Sequence, residues 1–250
     1  MQRTASRPRV RGWVLAPAAA AVLLALLGGG AAAPPPPKHA QPEPDLAAVM
    51  ERFDASQAKI RTISAHFEET KTIALLRDPV VQSGDFYHTK PDKFLWEYTA
   101  PEPKLLMLNG KDIVAYYPKQ KRAEEIRTRF SKRIVKYLGL GSVLKDLQDE
   151  YQISLDRKNA VAGTDLLVLK PEGRQVAKRL SEIHIWVDRE IGQPRRLEYI
   201  EADGDRTLIV FDRILINPEI SLTKYDLRLP DDVTVTNGLS GFFGAGGNGR

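Results

Sequence analysis

Cysteine is absent from all 250 residues. Its absence excludes a disulfide framework, a thiolate metal site and an anchoring lipid carried on cysteine. Nucleotide motifs are missing as well: there is no GxxxxGK[ST], and Gly110-Lys111 is followed by Asp112 in a turn context. HExxH, GxSxG and a strand–glycine–helix fingerprint do not occur either. The four histidines, His39, His66, His88 and His184, are dispersed without ligand-like spacing and read as ordinary half-exposed side chains. Glu68 and Glu69 are neighbours, so a strand would turn them to opposite faces and leave them poor acid–base partners. No enzyme, no cofactor and no metal site are expected.

A working surplus of positive charge is also lacking. The chain has 37 Lys and Arg against 32 Asp and Glu. Four of those arginines, Arg3, Arg7, Arg9 and Arg11, precede the apolar run from Trp13 to Ala33, and 37 less four leaves 33. A nucleic-acid binder carries a basic surplus in its working domain, so nucleic acid is not an expected partner. Basic start, apolar run and small-residue end describe a secretory signal peptide over residues 1–33. Pro17 breaks the run, which argues against a permanent membrane span. Export without disulfides points to the periplasm.

What remains suits one domain with a substantial core. Residues 34–44 form a proline-rich linker, residues 45–236 the domain, and residues 237–250 a flexible glycine-rich tail. Leu46, Val49, Met50, Phe53 and Ile60 recur at helical spacing after Pro44 and Asp45. From Ile63 the period becomes two, and strand candidates follow at 80–89, 93–99, 104–108, 111–117, 151–157, 166–170, 182–188, 195–201, 206–216 and 224–229. Asn109-Gly110 and Asp203-Gly204 suit two-residue hairpins. Those turns set Leu106 opposite Ile113, Leu105 opposite Val114, Tyr199 opposite Leu208 and Leu197 opposite Val210. A second helix is expected over Ser131–Asp149. The basic stretch Lys119–Lys136 reads as a solvated loop and helix face, with a docking surface as the alternative. A curved antiparallel sheet or incomplete barrel with helices against its open side accounts for this order.

The stretch SGDFYHTKPDKFLWEY puts Phe94, Trp96 and Tyr98 on one face of a strand. Taken alone, three rings on one face favour plain core over the wall of a cavity. The longer segment SGDFYHTKPDKFLWEYTAPEPKLLMLNGKDIVAYYP resembles the outer-membrane lipoprotein carrier (LolA) family. Gly84, Lys90, Pro91, Phe94, Trp96, Tyr98, Pro101, Asn109-Gly110-Lys111, Tyr116 and Pro118 carry that likeness, which extends in element order over about Leu46–Val235. It implies an α+β, mostly antiparallel fold: a half-open β-barrel covered by helices, with an apolar cavity. It also implies a monomeric periplasmic carrier of acylated lipoproteins. Loading would come from an inner-membrane ABC-type lipoprotein-releasing transporter, and delivery would be to an outer-membrane acceptor. The lipoprotein-binding set expected on this resemblance is Phe67, Phe86, Phe94, Trp96, Tyr98 and Tyr116. Lys90 and Phe94 are expected at the lid and partner contact, with Lys90 standing where the family commonly has arginine. Glutamate at position 94 should abolish loading and leave the fold intact. A lipid-sensing regulatory domain of the same fold is the alternative.

Overall fold

The computed structural model describes residues 44–127 and 144–239. Helix α1 spans Pro44–Ala58. The strands are β1 Thr62–Thr72, β2 Val80–Thr89, β3 Lys93–Ala100, β4 Lys104–Asn109, β5 Asp112–Tyr117 and β6 Arg122–Arg127. After the gap come β7 Tyr151–Asp156, β8 Thr164–Pro171, the one-turn helix α2 Arg174–Ala177, β9 Leu180–Asp188, β10 Pro194–Glu201, β11 Arg206–Ile216 and β12 Thr234–Asn237. All twelve strands join one sheet in the order β12-β6-β5-β4-β3-β2-β1-β11-β10-β9-β8-β7. Its pairs are antiparallel except β12 with β6, which are parallel, and its two edges do not meet.

The sheet is strongly bent. β3 and β11 lie three strand-to-strand steps apart, about 14 Å along a flat sheet. Yet the rings of Trp96 on β3 and Phe211 on β11 have centroids 5.8 Å apart. Only a concave face turns side chains so far apart in the ladder toward one another. That inner face holds the larger apolar cluster, and Leu46, Val49, Met50 and Phe53 of α1 are buried in it. The helical spacing of those four residues gives α1 one apolar stripe, which is buried as the periodicity requires.

A smaller cluster lies on the opposite face of β3–β6, built from Leu95, Met107, Val114 and Ala123. Tyr225 and the partly buried Ile220, Leu227, Leu229 and Val233 pack on it. Hydrogen bonds pin this covering segment: Asn109 Nδ2 donates to the Tyr225 carbonyl at 3.1 Å, and the Tyr225 and Thr89 hydroxyls meet at 2.9 Å.

Several expectations are corrected. The first hairpin closes one pair later than expected, with Asn109 opposite Asp112, Leu108 opposite Ile113 and Leu106 opposite Ala115. The turn therefore centres on Gly110-Lys111, and Gly110 takes φ +63°, the positive first position that a glycine-led two-residue turn requires. In the second hairpin Leu197 opposes Ile209 and Tyr199 opposes Thr207. Glu201 N–H donates to the Asp205 carbonyl at 2.8 Å, so three residues form the loop, with Gly204 at φ +95°. One extra loop residue slips the register by one and exchanges faces. Thr207, Ile209 and Phe211 point inward, whereas Leu208 and Val210 do not.

Residues 224–229 are not a strand. A 3-10 turn occupies Leu222–Tyr225, and the last strand is β12, further on. β6 lies within the basic stretch read as loop and helix, where Ala123 and Glu124 are buried. Its charges hide the strand pattern: Arg122 lies 4.3 Å over the Tyr117 ring and pairs with Glu124. The expected signal segment, nearly all of the linker, residues 131–143 of the expected second helix and most of the tail lie outside the described residues. The described end of that helix is a 3-10 turn at Leu144–Leu147, whose first two N–H groups donate to the Asp54 carboxylate.

Candidate functional site

The inner face is assembled by alternation. Ile63, Ala65, Phe67 and Glu69 on β1 point inward, as do Gln82, Phe86 and His88 on β2 and Phe94, Trp96 and Tyr98 on β3. Gly84 is opposite Phe67 on one side and Tyr98 on the other. With no side chain between them, the Phe67 and Tyr98 rings meet at 4.9 Å, edge to face. A methyl group at Gly84 would lie 2.0 Å from the Glu97 carbonyl oxygen, so the glycine also sets how closely β3 approaches. Phe86 touches Trp96 at 4.8 Å and Phe94 at 5.8 Å, and Phe67 touches Trp96 at 4.8 Å. These edge-on and tilted contacts are the favoured arrangements of aromatic pairs.

Five of the six expected lipid-binding residues thus come together: Phe67, Phe86, Phe94, Trp96 and Tyr98, none more than 4% exposed. In this structure they form the centre of the apolar core. Tyr116 does not join them. It packs on the outer cluster, and its neighbour Tyr117 belongs to the inner one. Counting by twos from Ile113 finds this, because Ile113, Ala115 and Tyr117 share a face. An outer groove of about 610 Å³ lies where β4–β6 meet the Tyr225–Leu227 segment and β12, and none of the six lines it.

Polar groups close the two ends of the aromatic patch. At one end the fully buried Glu69 accepts from the Tyr98 hydroxyl at 3.0 Å and from Gln82 Nε2 at 3.1 Å. Burial raises the Glu69 carboxyl, opposed by the Lys104 ammonium. Burial in turn lowers Lys104 to about 8, although Glu69 acts to hold it up. Lys104 Nζ sits 4.3 Å over the Tyr98 ring.

At the other end His88 is fully buried, not half-exposed, and stacks face to face on Phe94 at 4.1 Å. Burial, and to a lesser degree the Lys90 charge, lowers its pKa to about 3, so the imidazole is neutral across the physiological range. Lys90 Nζ donates to the Gln57 carbonyl at 2.6 Å, at the C-terminal turn of α1, where the helix dipole favours a cation. The same end of α1 is held by Ser56 Oγ donating to the Gly192 carbonyl at 2.7 Å and by Gln57 Nε2 donating to Gln193 Oε1 at 3.2 Å. Arg52 pairs with Asp165. Arg52 and Ser56 sit at the border of the helix, whereas Gln57 is fully buried one turn beyond Phe53.

Outside this region the two ring nitrogens of His184 meet the Glu182 carboxylate at 2.8 Å and the Glu198 carboxylate at 2.9 Å, and hydrogen bonding to Glu198 chiefly raises its pKa. Among the described residues no group of three or more His, Asp or Glu is placed to hold a metal ion, and no helix is long and apolar enough to cross a membrane.

The family profile described as outer membrane lipoprotein carrier protein LolA matches residues 58–227. The chain belongs to the LolA family. An outer-membrane lipoprotein carrier protein of Bordetella avium strain 197N is 23% identical over 192 residues, covering 74% of this chain and 85% of that protein. One from Helicobacter hepaticus strain ATCC 51449 / 3B1 is 24% identical over 178 residues, covering 70% and 83%. Among solved structures, an uncharacterized conserved protein of Thermus thermophilus shares the fold at TM-score 0.52 and 10% identity, over 78% of this chain and 99% of that one. The LolA profile spans β1 to β11, so it includes the whole inner aromatic patch and Lys90.

Proposed function

We propose that this LolA-family protein is a periplasmic carrier that binds the acyl chains of lipoproteins on the inner sheet face, beneath α1. The chain would work after removal of a signal peptide over residues 1–33, with residues 45–236 as the carrier domain. Acylated proteins would be taken from an ABC-type lipoprotein-releasing transporter in the inner membrane and passed to an outer-membrane acceptor. The reading gives the protein no catalytic step of its own.

The carrying observation is the continuous aromatic patch of Phe67, Phe86, Phe94, Trp96 and Phe211 on a concave face. Exposed hydrocarbon costs about 0.8 kcal/mol per CH₂, so one sixteen-carbon chain in water costs about 12 kcal/mol. A soluble carrier must offset most of that with a sheltered apolar surface. Here the rings contact one another and share one buried cluster with the stripe of α1, so binding requires α1 to move away. Its polar contacts suit such motion, because water can replace each hydrogen bond once the helix shifts. What acyl chains offer in exchange is the same class of apolar contact that the helix gives up. Loaded and closed states then differ by far less than the total burial energy, as a carrier that must release its cargo requires.

Lys90 lies where α1 ends and Phe94 is buried behind it against His88, and this end is the site proposed for entry and partner contact. The corresponding test incubates the mature chain with spheroplasts and assays soluble lipoprotein. Release of lipoprotein in proportion to added protein is expected. No release, together with no acyl species in the purified periplasmic protein, would overturn the carrier reading.

A further inference from the structure

We propose that His88 and Trp96 form a hydrogen-bonding subsite inside the apolar interior that takes the ester carbonyls of a diacylglyceryl group. The inference rests on the carrier reading and narrows its cargo to neutral acyl esters.

Neither ring nitrogen of His88 has a hydrogen-bond partner among the described residues, nor has Trp96 Nε1, and all three atoms are buried. His88 is fully buried and Trp96 is 4% exposed. Most buried polar atoms are paired, because leaving one unpaired costs about 1–3 kcal/mol. Three unpaired nitrogens on neighbouring strands are therefore a cost that something must offset.

They also sit together. His88 is opposite Phe94 and Phe86 is opposite Trp96, so His88 and Trp96 are diagonal neighbours on one face, about 7–8 Å apart as such pairs are. His88 offers its flat face to Phe94, which leaves its nitrogens at the ring edge. A neutral imidazole supplies one N–H and one lone pair, and the indole supplies one N–H. Two donors in a hydrocarbon-like setting match two acceptor-only carbonyls. Pure alkyl chain could satisfy neither.

Charge excludes the competing headgroups. An ionised phosphate or free carboxylate would need a cation beside it. His88 stays neutral, and the Lys90 ammonium that acts on it is hydrogen-bonded to the Gln57 carbonyl. An ester needs only donors.

The test compares dioctanoylglycerol with its dioctyl ether analogue, which keeps the chains and lacks the carbonyls. Calorimetric titration of the full mature chain should show the diester bound about tenfold more tightly, the effect of about one hydrogen bond. His88→Leu and Trp96→Phe should each shrink that ratio at least threefold, and His88→Leu should leave ether affinity within about twofold. In the unaltered protein, the Trp96 indole N–H signal should shift with diester and not with ether, so the inference does not depend on how well either variant folds. Equal binding of both ligands, or a ratio untouched by either substitution, would overturn the subsite while the carrier reading stands. Failure of both ligands to bind the unaltered protein would overturn the carrier reading and the subsite with it.

Discussion

Replacing His88 by leucine should make the protein less sensitive to acid. The unfolded imidazole titrates near 6.5, whereas the buried one in the folded protein titrates near 3. The folded value is the lower one, so between these limits the unfolded chain binds a proton that the folded chain refuses. Stability contributed at neutral pH is therefore lost as pH falls below 6.5, and the loss is complete near 3. Each unit inside that window is worth about 1.4 kcal/mol, giving roughly 2 kcal/mol by pH 5 and about 3 by pH 4. Other groups titrate in acid as well: Asp188 and Glu198, whose carboxyls are held low in the fold, add to acid unfolding, whereas Glu69 and Asp54, whose carboxyls burial raises, oppose it. Comparison with His88→Leu cancels them. Urea unfolding of both proteins at pH 8 and pH 5 should show the parent losing about 2 kcal/mol more than the variant. For a domain of this size that corresponds to a difference of roughly 4–8 °C in melting temperature. At pH 8 the variant should be at least as stable, since leucine keeps apolar contact with Phe94 and removes unpaired nitrogens. Superimposable pH profiles would refute the reasoning, because they would mean that the folded protein lets water or a proton reach His88 freely.

Three further outcomes are expected. Gly84→Ala should destabilise by about 3 kcal/mol or more in urea unfolding, since its methyl would lie 2.0 Å from a backbone carbonyl that the β3 ladder holds in place; near-parent stability would show that β2 and β3 can separate. Phe94→Glu should cost several kcal/mol of stability, because position 94 is 1% exposed and stacked on His88. The expectation that the fold survives this change intact gives way, and Phe94→Leu becomes the better probe of loading; a parent-like melt for Phe94→Glu would show the site is open to solvent. Lys90→Met should speed amide hydrogen exchange in the last turn of α1 and leave the β10–β11 core unchanged, because it removes only the ammonium that holds the Gln57 carbonyl. Unaltered exchange there would mean that Ser56 and Gln57 hold the helix without it.

The elements whose signals are local were legible in the sequence. The apolar spacing from Leu46 to Phe53 specifies α1, and alternation from Ile63 and from Val80 specifies β1 and β2. The same alternation brings Phe67, Phe86, Phe94, Trp96 and Tyr98 to one face, because every second side chain of a strand must share a side. It also places His88 there, two residues beyond Phe86, although a histidine by type is expected to be half-exposed.

Tertiary structure decided what local periodicity cannot carry. Loop length chose the face of β11, and one residue more at Ala202–Gly204 put Thr207 and Ile209 inside in place of Leu208 and Val210. The parallel union of β12 with β6 joins segments more than a hundred residues apart, a pairing that no nearby residue announces. Bending of the sheet did the rest. It brought Phe211 to Trp96 across two intervening strands and enclosed His88, whose chemistry is therefore a property of its surroundings rather than of its place in the chain.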